Sequence, residues 1–215
     1  DRLRAAQESG RQIMELIRQE ITARKIVNRE GIENAIRLNA AIGGSTNAIL
    51  HMIAIAYEAD CDLTVDDFEA LSRTTPLIAK MNPAAPPNVP DFHEAGGVPA
   101  VMKEILPLLH REALTVTGKS VAENVKDVKV RNRNLIKTMD DPWSQGGGLA
   151  VLRGNLAPNS AITKPAAIRP EMHTFTGRAR CFDSEEEANQ AILDGRVLEG
   201  EVLVIRYEGP KGGPG

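Results

Sequence analysis

The chain has 215 residues, of which 42% are hydrophobic and 26% are charged, which is typical of a folded globular protein. Its net charge of -3 at pH 7 provides no basic surface for nucleic acid, and an aromatic content of 3% leaves few rings on which bases could stack. We therefore expect no nucleic-acid partner and a core built from aliphatic side chains.

The apolar stretches are too short to cross a bilayer. The run at residues 48–56 is interrupted by His51, and the charged first residues are not followed by a hydrophobic signal region. Cys61 and Cys181 lie far apart and form no Cys-x-x-Cys pair. These features predict a cytoplasmic protein without a membrane partner. Both termini look cut, so we expect an internal piece of a longer protein.

The first half of the chain has the periodicity of amphipathic helices. Asn28 is a candidate N-cap for the second helix and Thr64 for a helix that begins with two aspartates. A short buried strand is predicted at 77–79, and the five prolines at 76–90 predict an irregular loop. The predicted helices are residues 3–26, 30–41, 45–58, a short helix after Thr64, residues 98–109 and residues 120–124.

The composition changes after the polar, irregular stretch at 132–143 and the three glycines at 146–148. Short β-like segments follow, interrupted by one helix that Ser184 caps and Gly195 ends. The segments are residues 149–153, 161–163, 174–182 and 201–207, with the helix at 184–193. The second half is therefore predicted to be a β-rich module with one helix.

The stretch I-G-G-S-T-N-A-I-L-H at 42–51 is the first candidate site. Its two glycines free the backbone, and Ser45, Thr46 or Asn47 can each cap the helix that follows. Backbone N–H groups at such a helix start favour a carboxylate or a phosphate. The alternative is an ordinary capped turn, and local chemistry alone does not separate the two.

Two further stretches carry candidate binding groups. The loop at 209–215 places Lys211 among four glycines and two prolines, so a backbone could approach an anion there while one cation neutralises it. It lacks the spacing and the hydroxyl residue of a phosphate-binding P-loop. Asp91, His93 and Glu94 follow the proline-rich loop and could line a site, or they could be an ordinary surface mixture.

No metal site is predicted from spacing. The four histidines lack a ligand-type spacing, and we assign neither cysteine to a cluster. Cys61 lies between two aspartates that would raise its thiol pKa, which makes it a poor nucleophile.

Five motifs in order resemble the dihydroxy-acid dehydratase and sugar-acid dehydratase family, which also contains phosphogluconate dehydratase. They are G-G-S-T-N-A at 43–48, D-F-H-E-A-G-G-V-P-A-V-M-K at 91–103, L-T-V-T-G-K at 114–119, G-G-L-A-V-L-R-G-N-L-A-P at 147–158 and V-I-R-Y-E-G-P-K-G-G-P-G at 204–215. The motifs span nearly the whole chain.

The resemblance implies an α/β fold: the helical end of an α/β N-terminal domain at 1–140, then the beginning of a swivelling β-barrel domain at 146–215, with the active site between them. It implies a hydro-lyase that converts a 2,3-dihydroxy acid to a 2-keto acid with an iron–sulfur cluster and Mg²⁺. The cofactor ligands and the base would lie outside this chain, so the chain alone should be inactive. Ser45, Thr46, Asn47 and Lys211 would bind the hydroxy acid, and the full-length enzyme would be a homodimer or homotetramer.

The substrate stays open at this point. The loop at 82–90 departs from the Pro-Ser-Gly-containing loop of the dihydroxy-acid enzymes. Dihydroxy-acid dehydratase of branched-chain amino acid biosynthesis is the first hypothesis, and a sugar-acid or phosphogluconate dehydratase is the second. A non-catalytic module that binds anions on the same scaffold is the alternative from another class.

Overall fold

The computed structural model describes residues 2–209, which divide into two compact units, one up to Ile168 and one from Arg169 on. Helices and two small sheets make up both units, which agrees with the predicted α/β class. Within residues 2–209, no helix combines the length and the apolar character that a membrane crossing requires.

The first unit is mainly helical. Its two short strands, β1 and β2, pair antiparallel, with Val151 opposite Ile162. The elements of this unit are α1 (Arg2–Arg18), α2 (Ala23–Ile26), α3 (Arg29–Ala41), α4 (Asn47–Glu58), α5 (Val65–Arg73), α6 (Val89–Glu94), α7 (Gly97–Glu104), α8 (Val121–Val125), β1 (Ala150–Leu152) and β2 (Ala161–Thr163).

The second unit is a β-α-β element. Its strands β3 (Arg178–Phe182) and β4 (Glu201–Ile205) are parallel, and α9 (Glu185–Leu193) connects them. The helix contacts both strands, and its Ala188 and Ala191 are fully buried. Small side chains let a helix approach a sheet closely, so these alanines set the packing distance.

The prediction of one helix at 3–26 is wrong, because the chain breaks after Arg18. Glu20 adopts a left-handed conformation with φ of 55°. The Ile21 N–H then bonds the Leu16 carbonyl at 2.9 Å and the Glu20 N–H bonds the Ile17 carbonyl at 3.0 Å, which is the Schellman pattern of a helix end. Glycine usually occupies such a position, so the sequence carries no signal for this break.

The predicted caps are confirmed. The Asn28 side chain accepts a hydrogen bond from the Gly31 N–H at 3.0 Å at the start of α3. Thr64 is the N-cap of α5, and its N–H donates to Asp67 at 2.8 Å. Ser184 accepts from the Glu187 N–H at 3.2 Å at the start of α9. Each cap satisfies a backbone group that the first helical turn would otherwise leave unpaired.

The burial predicted for residues 77–79 is confirmed, but the strand is reduced to two isolated bridges. Leu77 pairs with Ser144 and Ala79 pairs with Ile136. The N–H groups of Ile78 and Ala79 both donate to the Ala41 carbonyl, at 2.9 and 3.1 Å. This segment therefore fixes the carboxyl end of α3 against the middle of the chain.

The compact units divide at a later residue than the predicted domains, 1–140 and 146–215. β1 and β2 fall in the first unit because β1 packs on α5. The Ser72 hydroxyl at the end of α5 donates to the Leu149 carbonyl at 2.7 Å. Compactness of this chain is a different criterion from the domain boundaries of a longer protein, so the predicted ranges stay a prediction.

Candidate functional site

The Gly-Gly loop between α3 and α4 joins two helix ends. Gly43 has φ of 58° and ends α3, where its N–H bonds the Ala40 carbonyl at 3.2 Å and the Gly44 N–H bonds the Asn39 carbonyl at 2.8 Å. A Cβ on Gly44 would overlap the Asn39 side chain. The left-handed backbone therefore requires glycine at position 43, whereas position 44 is restricted by the present position of the Asn39 side chain.

Thr46 is the N-cap of α4 and makes no side-chain cap hydrogen bond, whereas Ser45 bonds the backbone just beyond it. The Ser45 hydroxyl accepts from the Asn47 N–H at 3.2 Å, and the Ser45 carbonyl accepts from the Ala48 N–H at 3.3 Å. Ser45 and Asn47 are exposed and Thr46 is half-buried. Within residues 2–209, no hydrogen bond is made by the Thr46 hydroxyl or by the side-chain amide of Asn47. These two side chains are therefore available to a ligand.

The loop before β1 lies directly against the Gly-Gly loop. The Gly148 N–H donates to the Ala40 carbonyl at 3.1 Å, and the Gly147 N–H donates to the Ser72 carbonyl at 2.8 Å. A Cβ on Gly148 would overlap the Gly43 Cα. Motifs that are about one hundred residues apart in the sequence thus meet backbone to backbone, which the sequence pattern alone did not reveal.

A cation lies beside this contact. The Lys164 Cε is 3.9 Å from the position that a Cβ on Gly43 would occupy. Lys164 follows β2 directly, and its side chain is half-buried. The sequence interpretation missed Lys164, because it considered neither the carboxyl end of the second β-like segment nor the neighbours that folding gives it. Lys211, which it did select, lies outside the described residues.

Asp91, His93 and Glu94 do not form a joint site. The Asp91 carboxylate accepts from the Asn88 N–H at 2.7 Å and so caps α6. His93 and Glu94 are exposed on the same short helix. The hypothesis that these residues line a site gains no support from their geometry, since the Asp91 carboxylate already has a structural partner.

The cysteines and histidines are dispersed. Cys61 is half-buried and contacts the Ala59 carbonyl, and Cys181 is exposed in β3. His110 bonds Glu33 at 2.6 Å, which ties the loop after α7 to α3. Across the part of the chain that the structure describes, no three His, Cys, Asp or Glu side chains come together as metal ligands.

An apolar groove of about 380 Å³ lies on another side of α3. Its lining includes Ile26, Leu38, Met52 and Val116 and contains no ionisable side chain among the residues described. Acid–base chemistry needs a titratable group, so the groove is a poor candidate for catalysis.

Comparison with known proteins matches two successive parts of the chain to the two parts of one family. Residues 1–124 match the family described as dihydroxy-acid/6-phosphogluconate dehydratase N-terminal, and residues 134–215 match its C-terminal counterpart. The chain, a mixed α/β protein with an open polar loop at a helix start, belongs to the dihydroxy-acid/6-phosphogluconate dehydratase family.

Similar curated proteins include three dihydroxy-acid dehydratases. That of Caldanaerobacter subterraneus subsp. tengcongensis is 49% identical over 217 residues, and those of Ignicoccus hospitalis and Carboxydothermus hydrogenoformans are each 48% identical, over 216 and 217 residues. Each match covers 100% of this chain and 39% of the relative. The chain thus spans about two-fifths of the length of the curated relatives it matches.

Proposed function

We propose that this chain is a segment of a hydro-lyase that dehydrates a 2,3-dihydroxy acid to a 2-keto acid, namely dihydroxy-acid dehydratase of branched-chain amino acid biosynthesis. The observation that carries the proposal is the identity of 48–49% to relatives with that name over the whole chain. The family also includes 6-phosphogluconate dehydratase, so a sugar-acid substrate is the second candidate.

The Gly-Gly loop is the proposed substrate side of the site. The exposed Ser45 and Asn47 and the half-buried Thr46 offer a hydroxyl, an amide and a second hydroxyl, which can exchange hydrogen bonds with the hydroxyl groups of the acid. The rigid turn at Gly43 and the contact with Gly148 support this position, because preorganised groups bind with less loss of entropy. Lys211, outside the described residues, is proposed as a second contact to the substrate.

An iron–sulfur cluster and Mg²⁺ are the proposed cofactors of the full-length enzyme. The described residues do not fit either group, because Cys61 and Cys181 lie in different units and no cluster of metal-ligand side chains occurs between residues 2 and 209. The ligands are therefore proposed to lie outside this chain. A cluster and a divalent cation would supply Lewis acidity at the leaving hydroxyl, and no step of that kind is assigned to these residues.

The second half of the chain is proposed to begin a swivelling β-barrel domain. In its support, residues 134–215 match the C-terminal family description and contain the four strands, β1 to β4, found among the described residues. A homodimer or homotetramer in the cytoplasm is the proposed state of the full-length protein.

The test uses the full-length protein that contains residues 1–215, purified with its cofactors intact. We expect 2-keto acid from 2,3-dihydroxy-3-methylbutanoate and little from a six-carbon aldonate or 6-phosphogluconate. Faster turnover of a sugar acid would favour the second candidate, and equal turnover would show that the proline-rich loop at 82–90 does not set specificity. Absence of 2-keto acid from all three would leave the anion-binding module as the better reading.

The isolated chain provides a second test. We expect the purified 215-residue chain to form no 2-keto acid, because the groups that break the C–O bond are proposed to lie elsewhere. Turnover by this chain alone would contradict the proposed placement of the ligands and the base.

A further inference from the structure

Lys164 is held in place by the backbone on both sides. Thr163, the residue before it, pairs with Ala150 in the β1–β2 ladder. The Lys164 carbonyl accepts a hydrogen bond from the Ala167 N–H at 2.9 Å in the short 3₁₀ turn that follows. The position of its Cα is therefore fixed relative to β1 and to the Gly148 loop that precedes β1.

The ammonium of Lys164 has no counter-ion among residues 2–209, where no carboxylate lies within 4.0 Å of it. Arg153, at the end of the adjacent strand, differs: it forms ion pairs with both Asp66 and Glu69. A half-buried cation without a partner loses hydration that no ion pair replaces, so an anionic ligand gains from binding beside it.

The surroundings of Lys164 include the backbone of the Gly-Gly loop. The Lys164 Cε lies 3.9 Å from the position that a Cβ on Gly43 would occupy, so the end of the lysine side chain lies beside the Gly-Gly loop. Two residues beyond Gly43, the exposed Ser45 begins the group of neutral polar side chains. A cation without an ion pair among the described residues, beside the loop that carries these hydroxyl and amide groups, matches the chemistry of a hydroxy acid, which has one carboxylate and neighbouring hydroxyls.

We infer that Lys164 is a substrate-binding residue whose ammonium pairs with the carboxylate of the hydroxy acid held at the Gly-Gly loop. This inference rests on the proposed function and adds a residue from the second family region to the site.

The test compares Lys164→Met, Lys164→Arg and the control Lys129→Met in the full-length protein. Lys129 is exposed and lies near Gly96, away from the Gly-Gly loop. For Lys164→Met we expect KM for the hydroxy acid to rise about tenfold or more with a much smaller change in kcat, because a charge-assisted contact of the bound substrate is lost. Lys164→Arg should recover most of the affinity, and Lys129→Met should behave as wild type.

A neutral substrate mimic separates charge recognition from general damage. The carboxamide of the hydroxy acid, used as a competitive inhibitor, should bind wild type and Lys164→Met equally, whereas the carboxylate should lose affinity only in Lys164→Met. An unchanged KM in Lys164→Met, or an equal loss for acid and amide, would overturn the inference. Thermal unfolding of each variant shows whether the fold is retained.

Failure of the proposed function can be distinguished from failure of the inference about Lys164. If wild-type protein forms no 2-keto acid from any substrate, the proposed function fails. Calorimetric titration with 2-hydroxy-3-methylbutanoate then decides the role of Lys164: binding that falls about tenfold in Lys164→Met sustains it, and absence of binding to wild type contradicts it.

Discussion

The backbone of Gly148 lies against that of Gly43 so closely that a Cβ on Gly148 would overlap the Gly43 Cα. The two residues come from the two regions that match different parts of the family, at 1–124 and 134–215. Because the contact involves backbone on both sides, neither residue can give way by rotating a side chain. The Gly-Gly loop is therefore held by the second family region as well as by its own helices.

Gly148→Ala should destabilise the first unit by about 1–3 kcal/mol through overpacking. Urea unfolding of the 215-residue chain, followed by the fluorescence of Trp143, the single tryptophan, measures this change. Gly154→Ala is the matched control, since no atom lies within 4 Å of its added Cβ. Equal stability of the two variants would show that the close contact is absent in solution.

Asn34 should be a large single contributor to the first unit. It is 5% exposed, and its side chain accepts from the His110 N–H at 2.8 Å and donates to the His110 carbonyl at 3.1 Å. Asn34→Leu leaves both backbone groups without a partner, so we expect a loss of about 2–4 kcal/mol in the free energy of unfolding. The exposed Asn134, changed to Leu, should show almost no loss in the same urea experiment.

Arg29 links α3 to the segment that leads into α5. It bonds Asp67 at 2.6 Å, Glu33 at 2.5 Å and the Asp62 carbonyl at 2.5 Å. The Arg29–Asp67 ion pair is partly exposed, so solvent screening limits the expected loss of unfolding free energy in Arg29→Met to about 1 kcal/mol.

The Arg29 hydrogen bond also lowers the pKa of Asp67 below its ordinary value of 3.8. The stabilisation should thus be present above pH 3.8 and disappear as the pH falls further. Arg11→Met on the exposed side of α1 is the control, and a loss as large as that of Arg29→Met would contradict a specific role for the network.

The second unit should lose stability on acidification because of Glu201. Its carboxylate accepts two hydrogen bonds from Arg180, at 2.7 and 2.9 Å, and one from the Leu198 N–H at 2.9 Å. The bonds from Arg180, followed by that from Leu198, lower the pKa of Glu201 from 4.5 to about 2. A carboxylate with a lowered pKa stabilises the fold above pH 4.5, and this stabilisation is lost as the pH falls towards 2.

Amide NMR signals of residues 178–205 as a function of pH measure this dependence. Glu201→Gln should lower the stability of this unit at pH 7 and flatten its response to acid. Glu186→Gln, which changes an exposed acid on α9, should leave both unchanged. A steep acid transition that persists in Glu201→Gln would assign the dependence to other groups.

Local signals predicted the helix starts well. Asn28, Thr64 and Ser184 cap as expected, because a capping side chain bonds backbone within three residues of itself. The β-like segment at 161–163 coincides with β2 for a similar reason, since its branched residues suit a pleated strand.

Features that depend on distant parts of the chain were not predicted. The left-handed Glu20 ends α1 without a glycine signal, and the contacts of Gly43 with Gly148 and Lys164 join residues more than one hundred positions apart. The Gly-Ser-Thr-Asn loop was found as a candidate by its local chemistry, whereas Lys164 became visible only once its neighbours were known. Sequence reasoning thus selected the Gly-Ser-Thr-Asn loop, whose role stays a prediction, and did not consider Lys164, whose Cε lies near Gly43.

The sequence separation between contacting residues differs between the two units, and this difference affects the order of folding. In the second unit, Arg180 and Glu201 are 21 residues apart, and α9 forms between them. In the first unit, the bond from Ser72 to Leu149 spans 77 residues. Closing the longer loop loses more chain entropy before stabilising contacts can form. We therefore expect the β-α-β element to form early during refolding, and the junction of Gly43 with Gly148 to be among the last contacts made.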